Sequence, residues 1–255
     1  MLARIFIILC GVVFALTSCQ GAAEKTVAVD TNIVAVVGAI HGQHKRSERY
    51  SLDVLQQAIR AFDPDVVLVE LPPERFQKAS ENFNAFGEVR ESRADDFPEL
   101  TKVVFPLRRE MGFTMVPVAA WSKSLADDRR AKLQQLENDP KRARDWSEYQ
   151  TAIAAYNQSV SGKSDDPQFV HSKAYDDAVK ARQETYERLF GEDLGLGGWT
   201  KINDAHVALI KQALDDVSGQ QQRILILYGA WHKYKIREHL ESRSDILIFD
   251  ATMLF

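Results

Sequence analysis

The sequence predicts an α/β fold: a mostly parallel central sheet with flanking helices and a helical insertion. Three observations carry this expectation. NIVAVVG (residues 32–38), VVLVEL (66–71) and RILILYG (223–229) are continuous apolar runs of strand length, the pattern of strands covered on both faces. An amphipathic stretch separates the first two, so residues 32–71 read as a βαβ unit with a right-handed crossover. The same alternation returns near the C-terminus, where NDAHVALIKQALDDV (203–217) precedes RILILYG and DILIFD (245–250) follows it.

The elements follow in order. Arg4 and the apolar run IFIILCGVVFAL (5–16) have the charge and length of a secretory leader and are short for a membrane span. LTSC (16–19) resembles a bacterial lipobox, which implies that residues 1–18 are a signal peptide and that Cys19 carries the lipid. A plain secretory leader with an incidental cysteine is the alternative. Cys10 lies within the leader, so the mature chain has no disulfide. Residues 19–31 then form a tether to one domain over 32–255. Gln20, rather than aspartate, after the cysteine favours an exported protein anchored in the outer membrane and facing the periplasm.

In SLDVLQQAIRAF (51–62), Leu52, Leu55, Ile59 and Phe62 share a helical stripe, Ser51 is placed to cap it and Asp53 sits in the first turn. DPD (63–65) stops it. FPELTKVVFPLRREMGF (97–113) reads as helix up to Gly112, and TMVPVAA (114–120) as a third strand in which Pro117 demands an edge position or a bulge. Residues 122–200 are charge-rich with helical periodicity, broken at NDP (138–140), SGKSDDP (161–167) and GEDLGLGG (191–198), and predict an insertion or lid of two to four helices. Val207, Ile210 and Leu214 stripe the next helix, and a short helix over 234–240 leads to the last strand.

Composition bounds the function. The chain has 255 residues, 45% hydrophobic and 27% charged, enough for one sizeable core. A formal charge of −4 with interspersed signs leaves no basic footprint, so nucleic acid is not an expected partner and a peptide or small-molecule substrate is.

Two segments repeat one design. VGAIH (37–41) and YGAWH (228–232) each run strand, glycine, two residues, histidine. Ligands of open parallel sheets bind beyond the carboxyl ends of the strands, so His41 and His232 are expected on the functional edge. Gly38 and Gly229 permit a sharp turn or a close approach there, and Glu70 closes a third strand at the same level. Two imidazoles and a carboxylate suit a divalent transition metal with positions left open for water and substrate.

At these residues the sequence resembles the TraB/TIKI superfamily, which includes pheromone-shutdown and GumN-like proteins and, more remotely, erythromycin esterases and ChaN-type haem-binding lipoproteins. Residues 32–76 and 200–250 carry the resemblance: paired GxxH motifs ending at His41 and His232, Glu70 closing the second strand, Arg75 shortly after it, and Asn203 and Asp204 at the start of a helix. Pro72 departs from the pattern, standing where a polar residue is common. The resemblance implies a metal-dependent hydrolase of peptidase or esterase type, using manganese, cobalt, zinc or iron. His41 and His232 would be ligands, Glu70 a ligand or general base, and Asp204 either. Arg75, Asn203, His44 and His206 are then candidates for substrate contact or for support of the ligands. Haem or iron carriage in the manner of the ChaN-type proteins, and a non-catalytic interaction module, are the alternatives.

Structural readings stand beside these. His41 would then be bonded to backbone at a strand end, and His44, next to KRSER, would be a solvated loop residue. His206 faces the site or the surface, and His171 and His239 are incidental. A carboxylate ending an apolar run needs a cation or hydrogen-bond donors, and Arg75 is the simplest partner for Glu70. Trp121, Trp199 and Trp231 are read as packing.

Overall fold

The computed structural model describes residues 30–90 and 96–255. The leader, the lipobox with Cys19 and nearly all of the tether lie outside them. Strands β1 (Asn32–Ala39), β2 (Val66–Val69), β3 (Thr114–Pro117), β4 (Arg223–Gly229) and β5 (Ile246–Phe249) form one sheet in the order β3-β2-β4-β1-β5, with every pairing parallel. Helix α1 (Leu52–Phe62) joins β1 to β2. Helix α2 (Pro73–Phe86), a π-helical turn (Glu99–Val104) and α3 (Phe105–Met111) lead to β3. The insertion follows as α4 (Lys123–Asn138), α5 (Ala143–Val160), the single turn α6 (Pro167–Val170) and α7 (Lys173–Leu194). Helices α8 (Trp199–Asp215) and α9 (Lys233–Leu240) flank β4.

The expected α/β class is therefore observed, and the continuous apolar runs have the expected cause. Alternate residues of the inner strands feed two cores. Val37, Val67, Val69, Leu225 and Leu227 meet α1, α3 and α7 on one face, while Val36, Leu68, Ile224 and Ile226 meet α8 and α9 on the other. With both faces covered, the middle positions of these strands are apolar, and the polar Asn32 and Arg223 stand at the strand starts.

Helix α1 forms as its sequence dictates. Ser51 Oγ accepts the Val54 N–H at 3.3 Å, Leu55, Ala58, Ile59 and Phe62 are buried, and Asp63 ends the helix with φ +50°. Pro117 pairs in the edge strand β3, which stops there rather than running to Ala120. The helix expected over 97–113 starts as a π turn and closes on Gly112 at φ +81°, where only glycine is unstrained. Helix α2 carries no clear helical signal in its sequence. Its first turn begins at Pro73, whose fixed φ and missing N–H suit the start of a helix as well as a loop.

The order of strands sets the geometry of the site. β2, β4 and β1 are neighbours, and the register places Gly229 beside Ala39 and Leu227 beside Val69. The strand ends preceding Glu70, Trp231-His232 and His41 thus open side by side on one sheet edge.

Phe62 ties α1 to the far edge strand: fully buried, it meets Phe249 edge-on at 5.5 Å and lies under the Arg223 guanidinium at 4.6 Å. Replacing Phe62 with alanine is expected to cost about 3–5 kcal/mol in urea unfolding, the range for a buried aromatic. A loss below about 1 kcal/mol would mean that this corner is not packed as described.

Candidate functional site

At the end of β1 the chain turns sharply. Ile40 donates its N–H to His44 Nε2 at 3.0 Å, and His44 Nδ1 donates to the Tyr50 carbonyl at 2.7 Å. His44 is buried, not solvated as expected from the charges around it; it fastens the His41–Lys45 turn, and burial lowers its pKa. His41 itself sits at φ +49°, a left-handed conformation that a residue with a Cβ adopts only when its surroundings hold it there.

His171, expected to be incidental, is also structural. Its Nδ1 donates to the Pro167 carbonyl at 2.7 Å, so Nε2 accepts the Gly38 N–H at 2.9 Å. Gly38 is a packing glycine: a Cβ there would lie 3.0 Å from the Cα of Ala230.

Glu70 is the centre of the site. Its Oε2 accepts the Gly229 N–H at 2.6 Å and lies 3.9 Å from His41 Nε2, while its Oε1 lies 4.0 Å from His232 Nε2. The three residues that the motifs and strand ends pointed to are thereby brought together. Gly229 keeps the gap open, because a Cβ at that position would be 2.6 Å from His41 Nε2 and 3.1 Å from Glu70 Oε2.

Both histidines are held by their other nitrogen. His41 Nδ1 donates to Glu99 Oε1 at 2.7 Å, and His232 Nδ1 donates to Asn203 Oδ1 at 2.8 Å. Asn203 Nδ2 donates to the Trp199 carbonyl at 2.7 Å, which fixes the orientation of the amide, and the Trp199 ring stacks on His232 with centroids 4.7 Å apart. Each Nε2 therefore faces the same carboxylate, the arrangement in which a carboxylate or amide orients an imidazole for a ligand on the far nitrogen.

Electrostatics separates the two rings. Burial lowers the pKa of His41, but the Glu99 hydrogen bond and the charges of Glu99, Glu70 and Asp96 outweigh it and raise it to about 9. The pKa of His232 falls well below the ordinary value through burial, helped by His206, His41 and Arg129. Burial raises the pKa of Glu70 against the opposing pull of His41 and the Gly229 N–H.

The remaining expected residues divide. His206 Nδ1 accepts the Ala120 N–H at 2.9 Å, its ring lies edge-on to His232 at 5.3 Å, and its Nε2 is buried with no hydrogen-bond partner among the described residues. Asp204 does not join the site. One residue past Asn203 on α8, it points away, 56% exposed and 3.6 Å from His239. Arg75 lines the cavity on the Glu70 side. Glu99 was not anticipated; its signal is a lone acid at the start of the apolar run LTKVVF, a position that the fold buries.

Three cavities meet here. One of about 470 Å³ runs past Glu70, Arg75 and Trp121; one of about 580 Å³ holds His41, Trp231 and His232; and one of about 200 Å³ lies behind Trp231 and His232. Trp121 and Trp231, expected to pack, are therefore cavity walls. Among the described residues, no three His, Cys, Asp or Glu side chains are spaced as a ready-made metal site, so His41, Glu70 and His232 would have to draw in around an ion. No protein-family model, curated protein or solved structure matches this chain.

Two outcomes follow from these environments. His171 and His206 are buried neutral, with pKa values lowered chiefly by burial to about 3 and about 4. The unfolded chain takes up their protons below the ordinary pKa of about 6.5, so their contribution is present above that pH and lost as pH falls. Each should cost about 2 kcal/mol of stability at pH 5 relative to pH 7 in urea titrations, His41 offsetting only a part; equal stability at the two pH values would contradict the burial described. The second outcome concerns His41. Glu99→Gln should lower its pKa from about 9 by about 1–2 units in an imidazole NMR titration, and an unchanged value would mean that Glu99 does not hold the ring.

Proposed function

We propose that this chain is a metal-dependent hydrolase of peptide or ester bonds, held at a membrane surface through Cys19, with His41, His232 and Glu70 binding a divalent manganese, cobalt, zinc or iron ion. The observation that carries this reading is the pair of clamped imidazoles. With both Nδ1 atoms bonded to acceptors, both Nε2 atoms face one buried carboxylate across a gap that Gly229 leaves clear. Two imidazole nitrogens and a carboxylate are a donor set suited to these ions, and the position at the carboxyl edge of a parallel sheet is where such folds bind ligands.

When bound, the ion supplies a Lewis acid that polarises a carbonyl and acidifies water. The protein's own groups do the rest. Asn203 holds His232 in the tautomer whose Nε2 is a lone-pair donor. Glu99 orients His41, but at neutral pH it also favours a proton on Nε2, which must leave before that nitrogen can bind metal. Glu70 provides the oxygen donor, and the larger cavities on either side give room for the two halves of a substrate.

One observation favours a second reading. An imidazolium at His41 and a carboxylate at Glu70, 3.9 Å apart, form an acid–base pair that needs no ion.

Elemental analysis of the full chain, purified without a polyhistidine tag, beside His41→Ala and His232→Ala tests both. Near-stoichiometric metal, lost in each variant, is expected, together with chelator-sensitive cleavage of model peptides or esters. Asn203→Ala should weaken metal binding by about 10–100-fold. Turnover with no metal, even after reconstitution with each ion, would establish the acid–base reading instead; neither metal nor turnover would end the hydrolase proposal.

A further inference from the structure

The smallest of the three cavities is lined unlike the others. Its roughly 200 Å³ lies between Arg129, Arg182, Gln183, Tyr186, Trp231 and His232. Arg182, from α7, lays its guanidinium 4.2 Å over the Trp231 ring and donates Nη2 to the Tyr149 hydroxyl at 2.8 Å. Its Nε and Nη1 are buried and have no hydrogen-bond partner among the described residues. Arg129, from α4, lies 5.7 Å over Tyr186 and 5.9 Å over Trp121, and the Tyr186 hydroxyl is buried beside the Arg129 side chain. Among the described residues neither arginine makes an ion pair.

This is an unusual way to leave two cations. A buried guanidinium is costly unless its charge and its N–H groups are answered, and aromatic faces answer only the charge. Arg182 Nε and Nη1, packed into the wall of one small space, are donors without acceptors among the described residues. What the site lacks is an anion. The aromatic rings and the limited volume favour a flat one, and a guanidinium recognises a carboxylate with paired in-plane N–H donors.

We propose that this cavity is a carboxylate subsite, in which Arg182 and Arg129 hold a carboxylate borne by the substrate next to His232. Trp231 and His232 also line the cavity that holds His41, and Trp121 and Arg129 also line the cavity that holds Glu70, so a group bound here adjoins, across shared side chains, the spaces around the three central residues. Its role in choosing a substrate rests on the hydrolase reading: the preferred substrates are acylated amino acids, or peptides whose free C-terminal carboxylate lies close to the bond that is cut. The anion site itself does not depend on that reading.

The test is binding of hippurate against hippuramide, which differ only in carboxylate against neutral amide, to the full chain without added metal, by calorimetry at pH 7. Hippurate should bind at least about tenfold tighter, a difference of about 1.4 kcal/mol. Arg182→Met should abolish that preference without lowering Tm, because it removes a half-buried charge, two of whose N–H groups are buried without acceptors among the described residues. Arg129→Gln, at a half-buried position on α4, should weaken the preference and serves if Arg182→Met does not fold. Equal binding of acid and amide overturns the proposal. So does Arg182→Met with its preference intact and a lowered Tm, which makes the arginine a packing residue. Inorganic phosphate displacing hippurate at lower concentration than acetate does would overturn the carboxylate assignment. Carboxylate preference in a chain without metal or turnover would sink the hydrolase reading alone; metal-dependent turnover indifferent to the carboxylate would sink this inference alone.

Discussion

A carboxylate that must live at the end of an apolar strand is the constraint around which this protein is arranged. Val66 to Val69 of β2 are buried between two cores, and Glu70 follows them before the chain has reached water. Desolvating that group is expensive, and several features of the sheet edge answer it. Gly229 turns its N–H toward one oxygen, and His41 and His232 come within about 4 Å from the neighbouring strands. Each of these then needs its own support. Glu99 and Asn203 hold the rings, Trp199 holds Asn203, and His44 holds the turn that carries His41. A single unfavourable burial is thus distributed over a network that holds each ring by its Nδ1 and Glu70 by one oxygen, while both Nε2 atoms stand about 4 Å from the carboxylate.

Much of the fold was legible because its strands are covered on both faces, which leaves uninterrupted apolar runs that no amphipathic helix or half-exposed strand would show. The convergence of His41, Glu70 and His232 was legible for a related reason. Motifs at the ends of parallel strands emerge on one edge whatever the details, and neighbouring positions for β2, β4 and β1 brought them side by side. Glycine before each histidine was informative too, although the two act differently. Gly229 clears space for side chains of the site, whereas Gly38 allows β1 to approach Ala230.

What remained hidden depended on long-range partners. His44 and His171 look like surface residues among charges, yet each has both ring nitrogens bonded within the fold. Only the tertiary path that brings Pro167 near Gly38 makes His171 structural, and no local pattern encodes it. Asp204 failed for a geometric reason. A helix rotates successive side chains by about 100°, so one residue can face the site while its neighbour faces water. Arg182 and Arg129 lay in a segment whose charges read as the wet faces of helices, which most of them are. These two are set apart by the aromatic rings beneath them and by the missing acid, neither of which composition reveals.

The bond from His171 to the Gly38 N–H has a consequence for modularity. The insertion between β3 and β4 looks like an added part, the kind that recombination gains or loses without disturbing a core. Here it is not separable. Its 161–171 stretch supplies an acceptor to the strand that carries His41, while Asp165 grips Ser47 and Arg49 on the turn beyond. Excising it would leave a strand amide unanswered beneath the site, so inheritance should treat sheet and insertion as one unit. Grafting the insertion onto another sheet would require carrying Gly38, Ser47 and Arg49 with it.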